Sequence, residues 1–190
     1  MIGNKLEQEI IGIFSRDISA LLSINQISKK LNKAYPYINA KVNLLIKEGV
    51  LDKTEIGRSY LCSINLGSAK AIALLSLYEA NQKEKYLKKT NLLPVLDKIR
   101  KEFNLYTIFA IEKKLYFVLD HIYDKEAIKN SYKLIREFSP EFLSKQDFVN
   151  LILQNKAVLS NKIILYSPET YYELLEEMQS QIMGKKFKNA

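Results

Sequence analysis

The segment AYPYINAKVNLLIKEGVLDKTEIGRSYLCSI, residues 34–64, contains the strongest structural signals in the N-terminal part of this chain. Proline lacks a backbone N–H and is tolerated in the first turn of a helix, so Pro36 predicts a helix over about residues 36–48. Gly49 is placed to end that helix. The strand-like runs on either side of the Gly57-Arg58 turn predict a β-hairpin.

Two more helices are predicted before this stretch. Apolar residues recur at helical spacing over about residues 4–15, and Ser23 is a good N-cap for a second helix that ends near Leu31. The apolar link between them, ISALLS at residues 18–23, is a candidate for a minimal strand. Three helices followed by a hairpin is the element order of a winged helix domain.

The predicted third helix separates its residues by face. Counting back from Gly49, Leu45, Val42 and Ile38 form one apolar stripe, which we expect to pack on the first two helices. The opposite stripe is predicted to hold Tyr37, Asn39, Ala40 and Lys41. Asparagine can bond an adenine edge, lysine can contact guanine or phosphate, and alanine or tyrosine can contact a thymine methyl.

These features predict binding to double-stranded DNA. The third helix would contact bases in the major groove, and lysines beside its turn and basic residues on the hairpin would contact phosphates. The predicted DNA-binding residues are Lys29, Lys30, Lys33, Tyr35, Tyr37, Asn39, Lys41, Lys53 and Arg58. A winged helix that contacts only protein, or that binds RNA, has the same sequence pattern and stays open at this point.

The charge distribution agrees with a polyanionic partner for the N-terminal half. The chain has 190 residues and a formal net charge of +8, with 14 Lys and Arg against 8 Asp and Glu in residues 1–90. Residues 91–190 are nearly balanced, with 15 against 13. The basic excess therefore lies on the predicted winged helix and the segment that follows it.

Several classes of site and location are not expected. The only cysteine, Cys62, excludes an intrachain disulfide and is expected to be a small core residue. The only histidine, His121, does not favour a metal site or a Ser-His-Asp centre. The N-terminus lacks a signal-peptide pattern, and no apolar stretch approaches the roughly 20 residues of a membrane span. We expect a cytoplasmic protein without a cofactor or a membrane partner.

The remainder of the chain predicts an α+β fold in several parts. After a long helix that Ser68 caps come another helix, two strands around Glu112-Lys113-Lys114, two amphipathic helices, a short strand and a final helix with Pro168 at its first position. The predicted domains are a winged helix-turn-helix at 1–67, a linking or dimerisation helix at 68–90, an α/β domain at 91–182 and a basic tail at 183–190.

Longer segments of the chain resemble a known family. The third-helix stripe resembles archaeal and bacterial winged helix regulators. AIALLSLYEANQKEKYLKK (71–89), LLPVLDKIRKEFNLYTIFA (92–110) and IILYSPETYYELL (163–175) resemble archaeal proteins that join a winged helix-turn-helix to a minimal nucleotidyltransferase-like domain. The similarity spans most of residues 20–178. It implies that the α/β domain has a nucleotidyltransferase-like fold.

The departure from that family concerns catalysis. The family's first strand runs into a Gly-Ser loop that holds the nucleotide phosphates, and two carboxylates two residues apart then bind Mg²⁺. Here no glycine occurs between Gly67 and Gly184. Asp120 and Asp124 are four residues apart, which on a strand means about 13 Å, too far for one metal ion. The sequence therefore predicts a degenerate domain that lacks the catalytic loop and is not an enzyme.

The interpretation that follows is a DNA-binding protein that acts as a transcriptional regulator. A homodimer would present two winged helices to two half-sites and raise the affinity, although no residue pattern shows one. Two alternatives remain: a divergent Mg²⁺-dependent nucleotidyltransferase that uses Glu112, Asp120 or Asp124, and a winged-helix adaptor that binds only protein.

Overall fold

The chain has an α+β fold in two compact units. The computed structural model describes residues 5–57, 59–121, 125–132, 138–154 and 160–178. One unit contains residues 5–78 and 176–178, and the other is Glu79–Leu175. Among the described helices, none is both long enough and apolar enough to cross a membrane.

The first unit has the predicted order of three helices and a hairpin. Its elements are α1 (Lys5–Arg16), α2 (Ile24–Leu31), α3 (Tyr35–Lys47), β1 (Leu51–Ile56), β2 (Ser59–Ile64) and the first part of α4 (Ala69–Leu87). The two strands pair antiparallel, and Leu22 adds an isolated bridge to Cys62 through N···O hydrogen bonds of 3.0 and 2.8 Å. The bridge confirms the predicted minimal strand. This order of elements is that of a winged helix.

Local capping explains where the helices begin and end. Ser23 and Gln26 form a capping box. The backbone N–H of Gln26 donates to Ser23 Oγ at 3.3 Å, and the backbone N–H of Ser23 donates to the side-chain oxygen Oε1 of Gln26 at 2.8 Å. Pro36 lies in the first turn of α3. Gly49 follows that helix with φ +69°, a conformation that glycine adopts without strain. Both ends of α3 agree with the prediction to within a residue.

The apolar stripe of α3 forms the centre of the first unit. Ile38, Val42 and Leu45 have no exposed surface, and α3 packs against α2 and β1. Cys62 is buried as well, and this burial raises the pKa of its thiol to about 11. The prediction that Cys62 is a core residue is confirmed.

A glycine allows α1 to approach α4 closely. A Cβ atom on Gly12 would lie 2.5 Å from Cε2 of the Tyr78 ring, which is closer than two carbon atoms can stay without movement. Glycine at position 12 therefore leaves room for the Tyr78 ring. The low helix propensity of glycine is offset by the packing of this ring.

The second unit is a four-stranded sheet with helices. Its elements after α4 are α5 (Leu93–Glu102), β3 (Leu105–Ile111), β4 (Lys114–Leu119), α6 (Lys125–Tyr132), β5 (Ser139–Leu143), α7 (Lys145–Gln154), β6 (Ile163–Tyr166) and α8 (Pro168–Glu176). The strand order is β5-β4-β3-β6. The central β3–β4 hairpin is antiparallel, β6 is antiparallel to β3, and β5 is parallel to β4.

One strand of this sheet was not predicted. The β5 sequence SPEFL contains Pro140, which is tolerated in a sheet because β5 is an edge strand. Its Phe142 stacks on Phe117 of β4 at a centroid distance of 5.4 Å. The pairing with β4, rather than any local pattern, makes this segment a strand.

The central strands are covered on both faces, which explains their continuous apolar sequence. One face packs against α5 and α6 through a cluster composed of Leu92, Leu96, Ile99, Ile108, Ala110, Leu115, Phe117, Leu119, Ile128 and Leu165. On the other face, Phe109 contacts Phe148 of α7 and Tyr171 of α8 edge to face. The distances between the ring centroids are 5.8 and 5.6 Å. Alternating residues of β3 therefore pack into two separate cores, one on each face of the sheet.

A buried polar cluster lies beside this second core. Lys162 Nζ is 3.3 Å from Glu79 Oε1, and the Tyr172 hydroxyl donates to the same oxygen at 2.7 Å. The side chains of Lys162 and Glu79 are each 2% exposed. The Lys162 ammonium also lies 5.6 and 5.7 Å from the ring centroids of Tyr171 and Tyr172. Both tyrosines are fully buried, so their rings pack inside the second unit.

Replacing Lys162 by Met should destabilise the second unit strongly. The substitution keeps the length of the side chain and removes the ammonium next to a buried carboxylate, for which we expect a loss of about 3–5 kcal/mol in the free energy of unfolding. Urea denaturation followed by circular dichroism measures this loss. The double variant Lys162→Met/Glu79→Gln, which removes both charges, should recover most of the stability. Equal losses in the single and double variants would contradict a coupled pair.

Candidate nucleic-acid interface

The outer face of α3 is exposed and contains no acidic residue. Successive residues of an α-helix are about 100° apart, so the residues opposite the buried stripe follow from the helix geometry. They are Pro36, Ala40, Asn43, Leu44 and Lys47, with Tyr37 and Asn39 at the two sides. Tyr37 is 73% exposed and Leu44 42%. None of the 13 residues of α3 is Asp or Glu, so no carboxylate on this helix repels a polyanion.

Lys41 does not lie on the outer face, contrary to the prediction. It is three residues after Ile38 and four before Leu45, which places it beside the buried stripe. Its Nζ is 3.2 Å from Glu7 Oε1 of α1, and the two side chains are only 13% and 10% exposed. The ammonium is therefore engaged inside the first unit and not presented to a base.

The other residues predicted to contact phosphate differ in whether their charges already have an ion-pair partner. Lys33 pairs with Glu9 at 3.1 Å, and Lys53 pairs with Glu55 at 2.9 Å, a hydrogen bond that raises the pKa of the Lys53 ammonium. Lys29 and Lys30 are exposed at the end of α2, and within the described ranges no carboxylate pairs with either. Arg58, at the tip of the hairpin, lies outside the described residues.

A chain of hydrogen bonds joins the hairpin to α3. The Tyr60 hydroxyl donates to Asn43 Oδ1 at 3.2 Å, and Asn43 Nδ2 donates to Asn39 Oδ1 at 3.0 Å. The Lys53 ammonium lies 4.6 Å from the centroid of the Tyr60 ring. Partial burial is the main cause of a raised pKa for the Tyr60 phenol, which therefore keeps the proton that it donates.

Asn43 and Tyr60 were missed as candidate site residues. Asn43 follows Asn39 by four positions, the spacing at which two side chains meet on one helix face, so the sequence contained a signal for this pair. Tyr60 had no such signal, since its contact with Asn43 joins residues 17 positions apart. Tyr35, which is 49% exposed, and Tyr37 lie on the surface near the start of α3, where they were expected.

The carboxylates considered for catalysis are in the second unit. Asp120 is exposed at the end of β4, where its Oδ1 accepts a hydrogen bond from the Tyr106 hydroxyl at 2.9 Å. Its Oδ2 is 3.7 Å from His121 Nε2. Glu112 lies in the β3–β4 turn with φ +52°. Asp124 lies outside the described residues, and within the described ranges no three His, Cys, Asp or Glu residues group together as a metal site.

Replacing Lys41 by Met should affect stability. The change removes the ammonium from a largely buried carboxylate, so we expect a loss of about 1–3 kcal/mol in the free energy of unfolding of the first unit. Lys30→Met is the matched control, because Lys30 is exposed and its replacement should change stability by less than about 0.5 kcal/mol. Thermal or urea denaturation measures both. A loss for Lys30→Met as large as that for Lys41→Met would contradict the assignment.

Comparison with known proteins gives little beyond this geometry. No protein-family model matches the chain, and no curated protein matches it. One similar solved structure is the crystal structure of MepR, a transcription regulator of the Staphylococcus aureus multidrug efflux pump MepA. The superposition covers 50% of this chain and 78% of the MepR chain, with 16% sequence identity and a TM-score of 0.36. A similarity of this size supports no inference about function.

Proposed function

We propose that this protein binds double-stranded DNA through α3 and the hairpin and acts as a cytoplasmic transcriptional regulator. The single observation that carries the proposal is the outer face of α3. That face is exposed over the length of the helix, it contains no carboxylate, and it combines amide, aromatic and small apolar side chains. These are the side-chain types that contact base edges in the major groove.

Phosphate contacts would come from the residues around this face. Lys29 and Lys30 are exposed at the end of α2 beside the turn into α3, and Lys53 is exposed on β1. A winged helix that inserts its third helix in the major groove places such residues against the flanking backbone. Lys33 and Lys53 would exchange their surface partners Glu9 and Glu55 for phosphates. Surface ion pairs contribute little to stability, so this exchange costs little.

A protein-only adaptor is the alternative that the outer face fits less well. Interfaces between proteins typically centre on a desolvated apolar cluster. On α3 the exposed apolar side chains Tyr37 and Leu44 are interspersed with Asn39, Asn43 and Lys47. Amides interspersed with single apolar side chains fit the edges of base pairs better than an apolar protein surface. Each base pair presents polar groups there, and an A·T pair also presents the thymine methyl.

For the second unit we propose a non-catalytic role, in a domain that is a degenerate form of the archaeal nucleotidyltransferase-like fold. The absence of any glycine between Gly67 and Gly184 supports this, since a phosphate-binding loop needs close backbone approach. The surface position of Asp120, bonded to Tyr106, also supports it. We propose that this unit serves dimerisation, so that two winged helices contact two half-sites.

Replacing Lys29 and Lys30 together by Ala should weaken DNA binding without regard to sequence. Two lost phosphate contacts should reduce the slope of log K against log salt by about 2 and lower the affinity about ten- to hundredfold near 0.1 M salt. Fluorescence anisotropy with a random-sequence duplex at several salt concentrations measures both quantities.

The matched control is Lys98→Ala/Lys101→Ala, which removes the same charge from exposed positions of α5 in the second unit. This variant should keep the salt slope of the wild type. Equal effects of the two double variants would show that net charge alone attracts the DNA. Failure of the wild-type chain to bind any duplex at 50 mM salt would refute the proposal itself.

Assays of nucleotidyl transfer should be negative. Incubation of the chain with labelled nucleoside triphosphates and Mg²⁺ should label neither the protein nor an added acceptor, because no phosphate-binding loop follows β3. Transfer by the wild type that Asp120→Asn abolishes would overturn the non-catalytic assignment, while leaving DNA binding by the first unit unaffected.

A further inference from the structure

In the chain of hydrogen bonds that joins the hairpin to α3, each side chain donates to the next one. Tyr60 donates to Asn43 Oδ1, which orients the Asn43 amide so that its Nδ2 donates to Asn39 Oδ1. The amide of Asn39 is the last member of this chain. Within the part of the chain that the structure describes, its Nδ2 keeps both N–H donors, and its Oδ1 keeps one acceptor position.

An amide with this orientation matches one base. Adenine presents an acceptor, N7, beside a donor, the N6 amino group, and a fixed asparagine amide can bond both at once. Guanine presents two acceptors, N7 and O6, at the same edge. The Oδ1 atom of Asn39 would then face an acceptor and leave a polar group unpaired, which is how a wrong base is rejected.

The surroundings of Asn39 favour the same base pair. A·T pairs carry the thymine methyl, and Tyr37, Ala40 and Leu44 are exposed apolar side chains on this helix. Guanine is usually contacted by Arg or Lys, and the lysine nearest in sequence to Asn39, Lys41, is held in the ion pair with Glu7. Lys47 is eight residues further along α3, about 12 Å along the helix axis.

We propose that Asn39 selects an A·T base pair, and that Asn43 and Tyr60 are positioning residues that fix its amide for adenine. This inference rests on the proposed function, because it names the sequence that the DNA-binding face prefers. It assigns a role to two residues beyond the set expected to contact DNA. Tyr60 acts from the hairpin and does not need to contact a base.

The test separates sequence preference from overall affinity. In vitro selection from a random duplex library with the full chain gives the preference at each position, and anisotropy with the unselected pool gives the affinity. The wild type should enrich an A·T pair at one position of each half-site by about tenfold. Asn39→Ala should lose that enrichment and keep its affinity for the unselected pool within about twofold.

The positioning residues have their own variants. Tyr60→Phe keeps the ring under Lys53 and removes only the hydroxyl, and Asn43→Ala removes the intermediate amide. Both should reduce the enrichment at the position that Asn39 contacts about three- to tenfold, with little change for the unselected pool. Asn81→Ala, an exposed position of α4 in the second unit, is the matched control and should leave the selected sequence unchanged. Circular dichroism confirms that each variant is folded.

The outcomes distinguish this inference from the function on which it rests. Binding to the unselected pool without enrichment of A·T, or with enrichment of G·C, overturns the inference and leaves DNA binding intact. No binding to any duplex at 50 mM salt refutes both. Full enrichment by Tyr60→Phe and Asn43→Ala, together with its loss in Asn39→Ala, would show that Asn39 selects the base without the positioning chain.

Discussion

The packing of Ile38, Val42 and Leu45 fixes how α3 is oriented in the first unit. These three side chains are completely buried, so α3 cannot rotate about its axis without exposing one of them. Exposure of a single such side chain costs about 1.5–3 kcal/mol, enough to fix the orientation of the helix. The outer face then follows by geometry. Asn43 points away from the core because the stripe points into it, and Tyr37 and half-buried Asn39 lie at the two sides of the exposed face.

Local features made most of the fold predictable from the sequence. The N-cap at Ser23, the proline at the first position of the final helix, and the period of apolar residues all act within a few positions, and the structure agrees with them. The strand β5 was missed because it depends on a partner, β4, rather than on its own sequence. The ion pair between Glu79 and Lys162 was missed for the same reason, since 83 positions separate its members.

The exposed face of α3 was predictable from the sequence, but the exposure of Lys41 was predicted wrongly. The sequence shows which helix is exposed, but it does not show which charges already have partners. Lys41 is bound to Glu7, which belongs to another helix, and a count of basic residues does not reveal this. The hydrogen bond from Tyr60 to Asn43 likewise needs the hairpin to be folded against α3. Contacts between elements therefore decide which of the predicted residues are available to a ligand.

The buried thiol of Cys62 gives the chain a chemical reporter of its own. It is the only cysteine, it has no exposed surface, and its backbone holds the bridge to Leu22. A thiol reagent can reach it only after the hairpin separates from the helices, and a pKa of about 11 keeps it protonated while it is buried. The rate of alkylation therefore measures how often the first unit opens, with no engineered label.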